Sequence, residues 1–209
     1  MKIAMINGSP KSKDSISGQI LKELKTCINN DATYTDYQFN KPQPSEEALL
    51  TLNDFDILVF AFPLYVDGIP SHLLSCLEKI QNSGLANKNI TVYCIVNSGF
   101  YDGIQNSNAV EILHNWCRHM GLKWGMGIGI GGGGALLSMS GVPLGKGPKK
   151  SVGLAFTQMA KNIEQKSSSD NIYTNINFPR FLYKLMAQLG WRQLIKLNGK
   201  KAKDLNYRY

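Results

Sequence analysis

Asp56-Ile57-Leu58-Val59-Phe60-Ala61-Phe62 is the stretch that decides the fold. After the aspartate every residue is apolar, with no alternation of polar and apolar positions. A strand with one wet face alternates, whereas a strand covered on both faces does not. The segment therefore predicts a central strand of a sheet that carries helices on both sides.

The same grammar extends outward. Lys2–Ile6 is a short apolar run ended by Asn7-Gly8, and Ile90–Val96 is a third buried strand. Thr33–Phe39, rich in Thr and aromatics, and Trp124–Ile130, with alternate apolar residues, add two more. Between them lie helical patterns. Ser17 to about Asn29 places Ile20, Leu21, Leu24 and Ile28 on one stripe. Ser45–Leu52 has Glu46 and Glu47 in its first turn, and Pro70 to about Gln81 has its proline near the first position. Asn108–Met120 stops at Gly121, and a last helix runs from about Ser151 to Lys166. Strands alternating with helices predict βαβ units, a parallel sheet and right-handed crossovers, hence a doubly wound α/β domain. Ligands of such sheets bind at the carboxyl ends of the strands, beside the switch in strand order. That places the functional loops just after Ile6, Phe62, Val96 and Ile130.

Composition narrows the classes. At 209 residues the chain fits one decorated domain, and 43% hydrophobic residues suffice for an ordinary core. No apolar run reaches the roughly 18–20 residues of a membrane span. The first residues do not read as a leader peptide, so the expected location is cytoplasmic. Cys27, Cys76, Cys94 and Cys117 are widely spaced, without metal-ligand or disulfide-framework spacing, and read as buried inert thiols. His72, His114 and His119 are scattered and read as structural. No metal site is expected. The net charge of +8 is uneven: Met1–Lys150 holds 13 basic against 12 acidic residues, whereas 171–209 holds eight basic residues against Asp204 alone.

Three loops carry the chemistry. Asn7-Gly8-Ser9-Pro10-Lys11-Ser12-Lys13-Asp14-Ser15-Ile16-Ser17 sets four hydroxyls and two lysines before a helix N-terminus, where N–H groups and the helix dipole favour an anion. It contains neither G-x-x-x-x-G-K-[ST] nor G-x-G-x-x-G, which excludes the P-loop and the dinucleotide fingerprint. Several donors around one dianion suit a terminal monophosphate; the alternative is a surface loop whose Ser and Asp only cap the helix. Pro63-Leu64-Tyr65-Val66-Asp67-Gly68-Ile69-Pro70 is apolar and aromatic where water would favour polar residues. It suits a flat aromatic ligand or, alternatively, a cover over the core or a subunit interface. Asn97-Ser98-Gly99-Phe100-Tyr101-Asp102-Gly103 is small enough for close backbone approach, or is a plain turn. The run Gly131–Gly134 falls near the same end of the sheet and is read as a lid, a turn or an interface element.

Gly8-Ser9-Pro10-Lys11 with Ser15 and Ser17, then Pro63-Leu64-Tyr65, then Asn97-Ser98-Gly99-Phe100 resembles the flavodoxin-like NAD(P)H-dependent FMN reductases. Within them the chain is most similar to the group holding multimeric quinone reductases and the flavin domain of iron-sulfur flavoproteins. The resemblance covers roughly residues 1–165. It implies a flavodoxin-like three-layer sandwich with a five-stranded parallel sheet in the order 2-1-3-4-5. The expected organisation is an FMN-binding domain over 1–170 with a basic amphipathic helical C-terminal extension of the same domain over 171–209. The resemblance implies non-covalent FMN, with Ser9, Lys11, Ser15, Ile16 and Ser17 around the phosphate. Pro63, Leu64, Tyr65, Val66 and Asp67 would lie along the ring, and Asn97, Ser98, Gly99 and Phe100 at its pyrimidine edge. Backbone N–H groups of Ser98 and Gly99 would then face the charge that builds up on the reduced ring. NADH or NADPH is the implied donor, and a quinone, nitro or azo compound or flavin the acceptor. A homodimer or higher homo-oligomer is implied too. No side chain is assigned as a catalytic acid or base. The iron-sulfur cysteines are absent, Lys11 stands where Arg is common, and Ile16-Ser17 stands where Asn-Thr is common.

The tail from Asn177 to Tyr209 sets Phe178, Phe181, Leu182, Leu185, Met186 and Leu189 at helical spacing among basic residues, after Pro179. It reads as a basic amphipathic helix that packs on the domain or a sister subunit, or touches an anionic membrane; no motif suggests nucleic acid. Two functions compete with the oxidoreductase: an electron carrier of the flavodoxin type without NAD(P)H activity, and a binding protein that keeps the fold without FMN.

Overall fold

The computed structural model of the chain describes residues 1–28, 31–136 and 139–206. One compact unit spans Met1–Ile176 and a second Asn177–Tyr209.

The first unit is a parallel sheet between two layers of helices. Its strands are β1 (Lys2–Asn7), β2 (Thr33–Gln38), β3 (Ile57–Pro63), β4 (Thr91–Asn97), β5 (Lys123–Gly131) and β6 (Ile172–Asn175), and they lie in the order 2-1-3-4-5-6. The helices are α1 (Ile16–Lys25), α2 (Glu46–Thr51), α3 (Ser71–Ser83), α4 (Ser107–Met120) and α5 (Lys150–Gln165). Every neighbouring pair of strands is parallel. The order reverses between β1 and β3, so the switch point lies between their carboxyl ends.

The expectation of five strands is corrected to six. Ile172–Asn175, read from the sequence as part of the extension, pairs with β5 from Ile128↔Ile172 to Gly131↔Asn175. Four residues without a flanking turn signal are too few to show a period of two. Two asparagines fasten the strand: Asn171 Oδ1 accepts from Gly127 N–H at 2.7 Å, and Asn175 Oδ1 from Gly103 N–H at 2.6 Å. The remaining boundaries differ from the expected ones by a few residues, with α1 stopping at Lys25; Asn29, its expected end, lies outside the described residues.

Burial follows position in the sheet. All seven residues of β4 and six of the seven in β3 are buried, whereas β2 and β6 at the edges are not. On one face Ile6, Phe60, Cys94 and Val96 pack with Leu73 and Leu77 of α3 and with Leu113, Trp116 and Cys117 of α4. Trp116 stands edge-on to Phe60 with ring centroids 6.1 Å apart, and its Nε1–H reaches Leu77 O at 3.0 Å. Opposite, α1 and α5 cover the other face. There the Tyr93 hydroxyl lies 2.8 Å from the carbonyls of Asn162 and Ser167. Lys149, 1% exposed, pairs with Glu23 Oε1 at 2.5 Å and ties the start of α5 to α1.

β5 has an unusual face. Past an irregularity at Gly125, Met126, Ile128 and Ile130 point one way, and Gly127, Gly129 and Gly131 the other. The segment Tyr101–Asn106 lies directly on that blank side. A Cβ on Gly129 would come within 2.8 Å of Gly103 O, and a Cβ on Gly103 within 2.7 Å of Gly129 O. Backbone meets backbone here, and no side chain fits between.

The thiols are buried at Cys76, Cys94 and Cys117, and half-buried at Cys27. Burial pushes Cys76 up to about 11 and raises Cys94 and Cys117 further. These groups stay protonated at neutral pH and are poor nucleophiles. No described helix is long and apolar enough to cross a membrane.

Candidate functional site

Three loops leave the carboxyl ends of β1, β3 and β4, and each is tied to the next. The first turns at Gly8, whose N–H donates to Ala61 O at 2.8 Å. A Cβ on Gly8 would stand 2.6 Å from Leu73 Cδ2, so glycine is what lets the chain pass between β3 and α3. Asn7 then closes the loop with both ends of its amide. Its Oδ1 accepts from Ser9 N–H at 3.1 Å, and its Nδ2 donates to Ser15 Oγ at 3.0 Å. Ser15 is the N-cap of α1 and accepts from Gly18 N–H at 3.0 Å. Gln38 of β2 donates from outside to the carbonyls of Ser9 and Lys11. Asp14 takes a left-handed φ of 49°, a conformation Asp tolerates better than most residues.

The second loop begins where Leu64 N–H donates to Asn97 O at 2.8 Å. Tyr65 and Gly68 exchange two backbone hydrogen bonds around Val66 and Asp67, both at positive φ (47° and 55°). That is the geometry of a type I′ turn, which ordinarily takes Asn or Gly at these positions. A β-branched valine is out of place there, and its side chain is fully exposed.

Asn97, at the start of the third loop, joins all three. Its carbonyl holds Leu64, and its buried Oδ1 accepts from Ser17 Oγ at 3.1 Å. Ser98 N–H donates to Ile130 O at 3.0 Å, as the sheet requires, so it is not available to a ligand. This corrects the expectation that Ser98 and Gly99 offer paired backbone donors. The Ser98 hydroxyl differs: it is buried and has no hydrogen-bond partner among the described residues. A buried hydroxyl left unpaired is costly. Thr91 Oγ1 and Asn106 Oδ1 are in the same state, and of the three only the Ser98 hydroxyl belongs to a residue that lines the cavity between the loops. The glycine run packs against this loop as a fixed turn. Gly132 N–H donates to Phe100 O at 2.6 Å and Gly133 N–H to Ser98 O at 2.7 Å.

Between the loops is a cavity of about 200 Å³. Ser9, Lys11, Ile16 and Ser17 line it from the first loop, and Pro63, Leu64 and Tyr65 from the second. Asn97, Ser98 and Gly99 line it from the third, and Gly134 from the glycine run. Ten of the fourteen residues singled out in the sequence therefore border one cavity. Ser15, Val66, Asp67 and Phe100 do not: Ser15 is taken up by capping, Val66 points to solvent, and Phe100 is half exposed. Gly134 was reached in the sequence only as one of four glycines. At Gly99 and Gly134 an added Cβ would meet nothing within 4 Å, so both leave open space. Ile16 and Ser17 are the first two residues of α1, whose N–H groups have no carbonyl within the helix to reach.

The cavity can hold an anion at one end and a flat polar-edged ring at the other. The anion end has helix N–H groups, Ser9 and Lys11; the ring end has an apolar wall and one unpaired hydroxyl. FMN has both parts, and the residues present fit it.

No family model matches the chain. Over 92 residues it is 33% identical to the glutathione-regulated potassium-efflux system ancillary protein KefG of Salmonella gallinarum, a match covering 41% of this chain and 48% of that one. The chain thus spans about half the length of the curated relatives it matches. Among solved structures it is similar to an FMN-dependent NADH-azoreductase of Bacillus anthracis bound to FMN, with 15% identity and a TM-score of 0.54 over 80% of this chain and 100% of that one. An NADH:FMN oxidoreductase in its apo form gives 14% identity and a TM-score of 0.58 over 80% and 90%. A flavodoxin of Streptococcus pneumonia gives 12% and 0.56 over 78% and 99%. The chain accordingly has the flavodoxin-like fold, shared by an azoreductase, an NADH:FMN oxidoreductase and a flavodoxin alike.

Proposed function

We propose that the chain is an FMN-dependent NAD(P)H oxidoreductase. The observation that carries the reading is the unpaired, buried Ser98 hydroxyl in a cavity whose other end is the start of α1. The backbone N–H groups of Ile16 and Ser17, with Ser9 and Lys11, would hold the phosphate. Ile16 then serves through its backbone, and the missing side-chain donor at this position is no obstacle. The Ser17 hydroxyl is committed to Asn97 and positions the third loop instead. Pro63, Leu64 and Tyr65 would cover the ring, with the Val66–Asp67 turn holding Tyr65 in place. Ser98 would donate to or accept from the polar edge of the ring, and Gly99 would leave room for it. When bound, FMN would supply the hydride-accepting and electron-passing chemistry between NADH or NADPH and a quinone, nitro or azo compound or flavin. The chain's own share is binding, orientation and exclusion of water from one side of the ring.

Exposed Val66, Phe100 and Ile104 on the second and third loops and the turn that follows support a homo-oligomer that covers this end of the sheet. The nearly neutral body supports an enzyme over a carrier, whose surface is ordinarily strongly acidic.

The test is direct. Purified protein supplied with FMN should show bound-flavin absorption that bleaches on anaerobic mixing with NADH or NADPH. Flavin that binds but does not bleach makes the protein a carrier, and failure to bind FMN overturns both readings. Replacing Ser9 and Lys11 together with Ala should weaken FMN binding tenfold or more, since a hydrogen bond to a charged group contributes about 1.5–3 kcal/mol.

A further inference from the structure

The second unit contains α6 (Arg180–Leu197), an 18-residue helix in which no residue is buried. Most of its side chains are apolar all the same. Phe181 is 70% exposed and Leu197 77%, and Leu185, Met186, Leu189, Trp191 and Leu194 are all more than half exposed. Such a helix in water leaves a large apolar area uncovered, which marks an interaction surface.

The charges say what covers it. Arg180, Lys184, Arg192 and Lys196 fall at multiples of four and form one slowly winding ridge, with Gln188 between them. Leu182, Met186 and Leu194 lie opposite that ridge, and Phe181, Leu185, Leu189 and Leu197 flank it. Lys200, Lys201 and Lys203 follow at once, and from Asn177 to Tyr209 the only acid is Asp204. A second copy of the segment would be repelled by this charge. The core of a protein interface is depleted in lysine, because burying the ammonium group costs desolvation. Nucleic acid would meet the cations and leave the leucines in water.

We propose that α6 lies along the surface of an anionic lipid bilayer. Its leucine side enters the boundary between headgroups and acyl chains, while the long stems of Lys and Arg let their charges stay among the phosphates. Trp191, half exposed beside the cationic ridge, sits at headgroup level, where an indole ring is favoured. The helix lies on the bilayer and does not cross it, because none of the described helices meets the length and hydropathy of a span.

The experiment uses the whole chain. Vesicles of phosphatidylcholine, with or without about a third phosphatidylglycerol, are mixed with the protein, sedimented and assayed for bound protein. Binding to the anionic vesicles alone, released by salt and accompanied by a blue shift of tryptophan emission that the W191F variant lacks, is the expected result. Each cation near such a surface strengthens binding about fivefold, so the K184Q/R192Q/K196Q variant should bind roughly a hundredfold more weakly. All three positions are exposed, and an unchanged melting temperature certifies that the variant is folded. Absence of sedimentation with anionic vesicles at low salt overturns the proposal. So does equal binding by the triple variant, or a self-association measured by ultracentrifugation that the same three substitutions abolish.

Discussion

The two ends of the cavity are built in opposite ways. At the anion end nearly every polar side chain already has a partner inside the chain: Asn7 holds Ser9 and Ser15, Ser15 caps α1, and Ser17 donates to Asn97. At the ring end the Ser98 hydroxyl is buried without a hydrogen-bond partner among the described residues, Tyr65 is half exposed, and Val66 stands in solvent. The anion end is preorganised, so binding there costs little further order. The ring end is incomplete until something fills it. On the proposed reading, one half fixes where the ligand sits and the other gains from it.

Asn97 is where the two ends meet, and Asn97→Ala should break the contrast most severely. It leaves the buried Ser17 hydroxyl unpaired and should cost about 1–3 kcal/mol of stability, read from urea unfolding. On the proposed reading it also loosens both ends, and FMN retention on gel filtration should fall well beyond tenfold. Ser98→Ala isolates the ring end. With no internal partner to lose, its unfolding midpoint should not drop, while FMN affinity should weaken about tenfold, or ~1.4 kcal/mol. A loss of stability in the protein without flavin would show that the hydroxyl was serving the fold. Ser15→Ala isolates the anion end in the reverse sense. Removing an N-cap costs about 1 kcal/mol, visible in the melting temperature whether or not flavin is present.

A control should touch neither end. Cys76, Cys94 and Cys117 have thiol pKa values raised by burial, to about 11 at Cys76. The folded chain therefore keeps protons that the unfolded chain releases above about pH 9, the ordinary thiol value. The stability they contribute is complete below pH 9 and shrinks as pH climbs from there toward 11. Melting temperatures measured between pH 7 and 10.5 should hold and then decline, with a smaller decline in Cys76→Ala.

Much of this contrast was legible in the sequence. The unbroken apolar runs of β1, β3 and β4 located the sheet, and loop position after a strand located ten residues of the cavity. Direction of hydrogen bonding was not legible. Ser17 and Asn97 are 80 residues apart, and nothing near either says that the hydroxyl turns inward toward an amide and away from a ligand. The backbone donor expected of Ser98 was lost for a related reason: whether an N–H at a strand end belongs to the ladder depends on how far the neighbouring strand continues, and β5 continues to Gly131. The sixth strand was hidden by its length, although the alternate glycines of β5 are a signal that something lies close on that side.

Those glycines have a consequence for reading mutational scans. None of Gly103, Gly129 and Gly131 lines the cavity, yet any side chain at these positions collides with backbone atoms that have nowhere to go. A library selected for activity would reject substitutions there as firmly as at Asn97. Ranked by intolerance alone, a stretch outside the cavity would pass for the heart of the site, and only a parallel measurement of folded yield would tell the two apart.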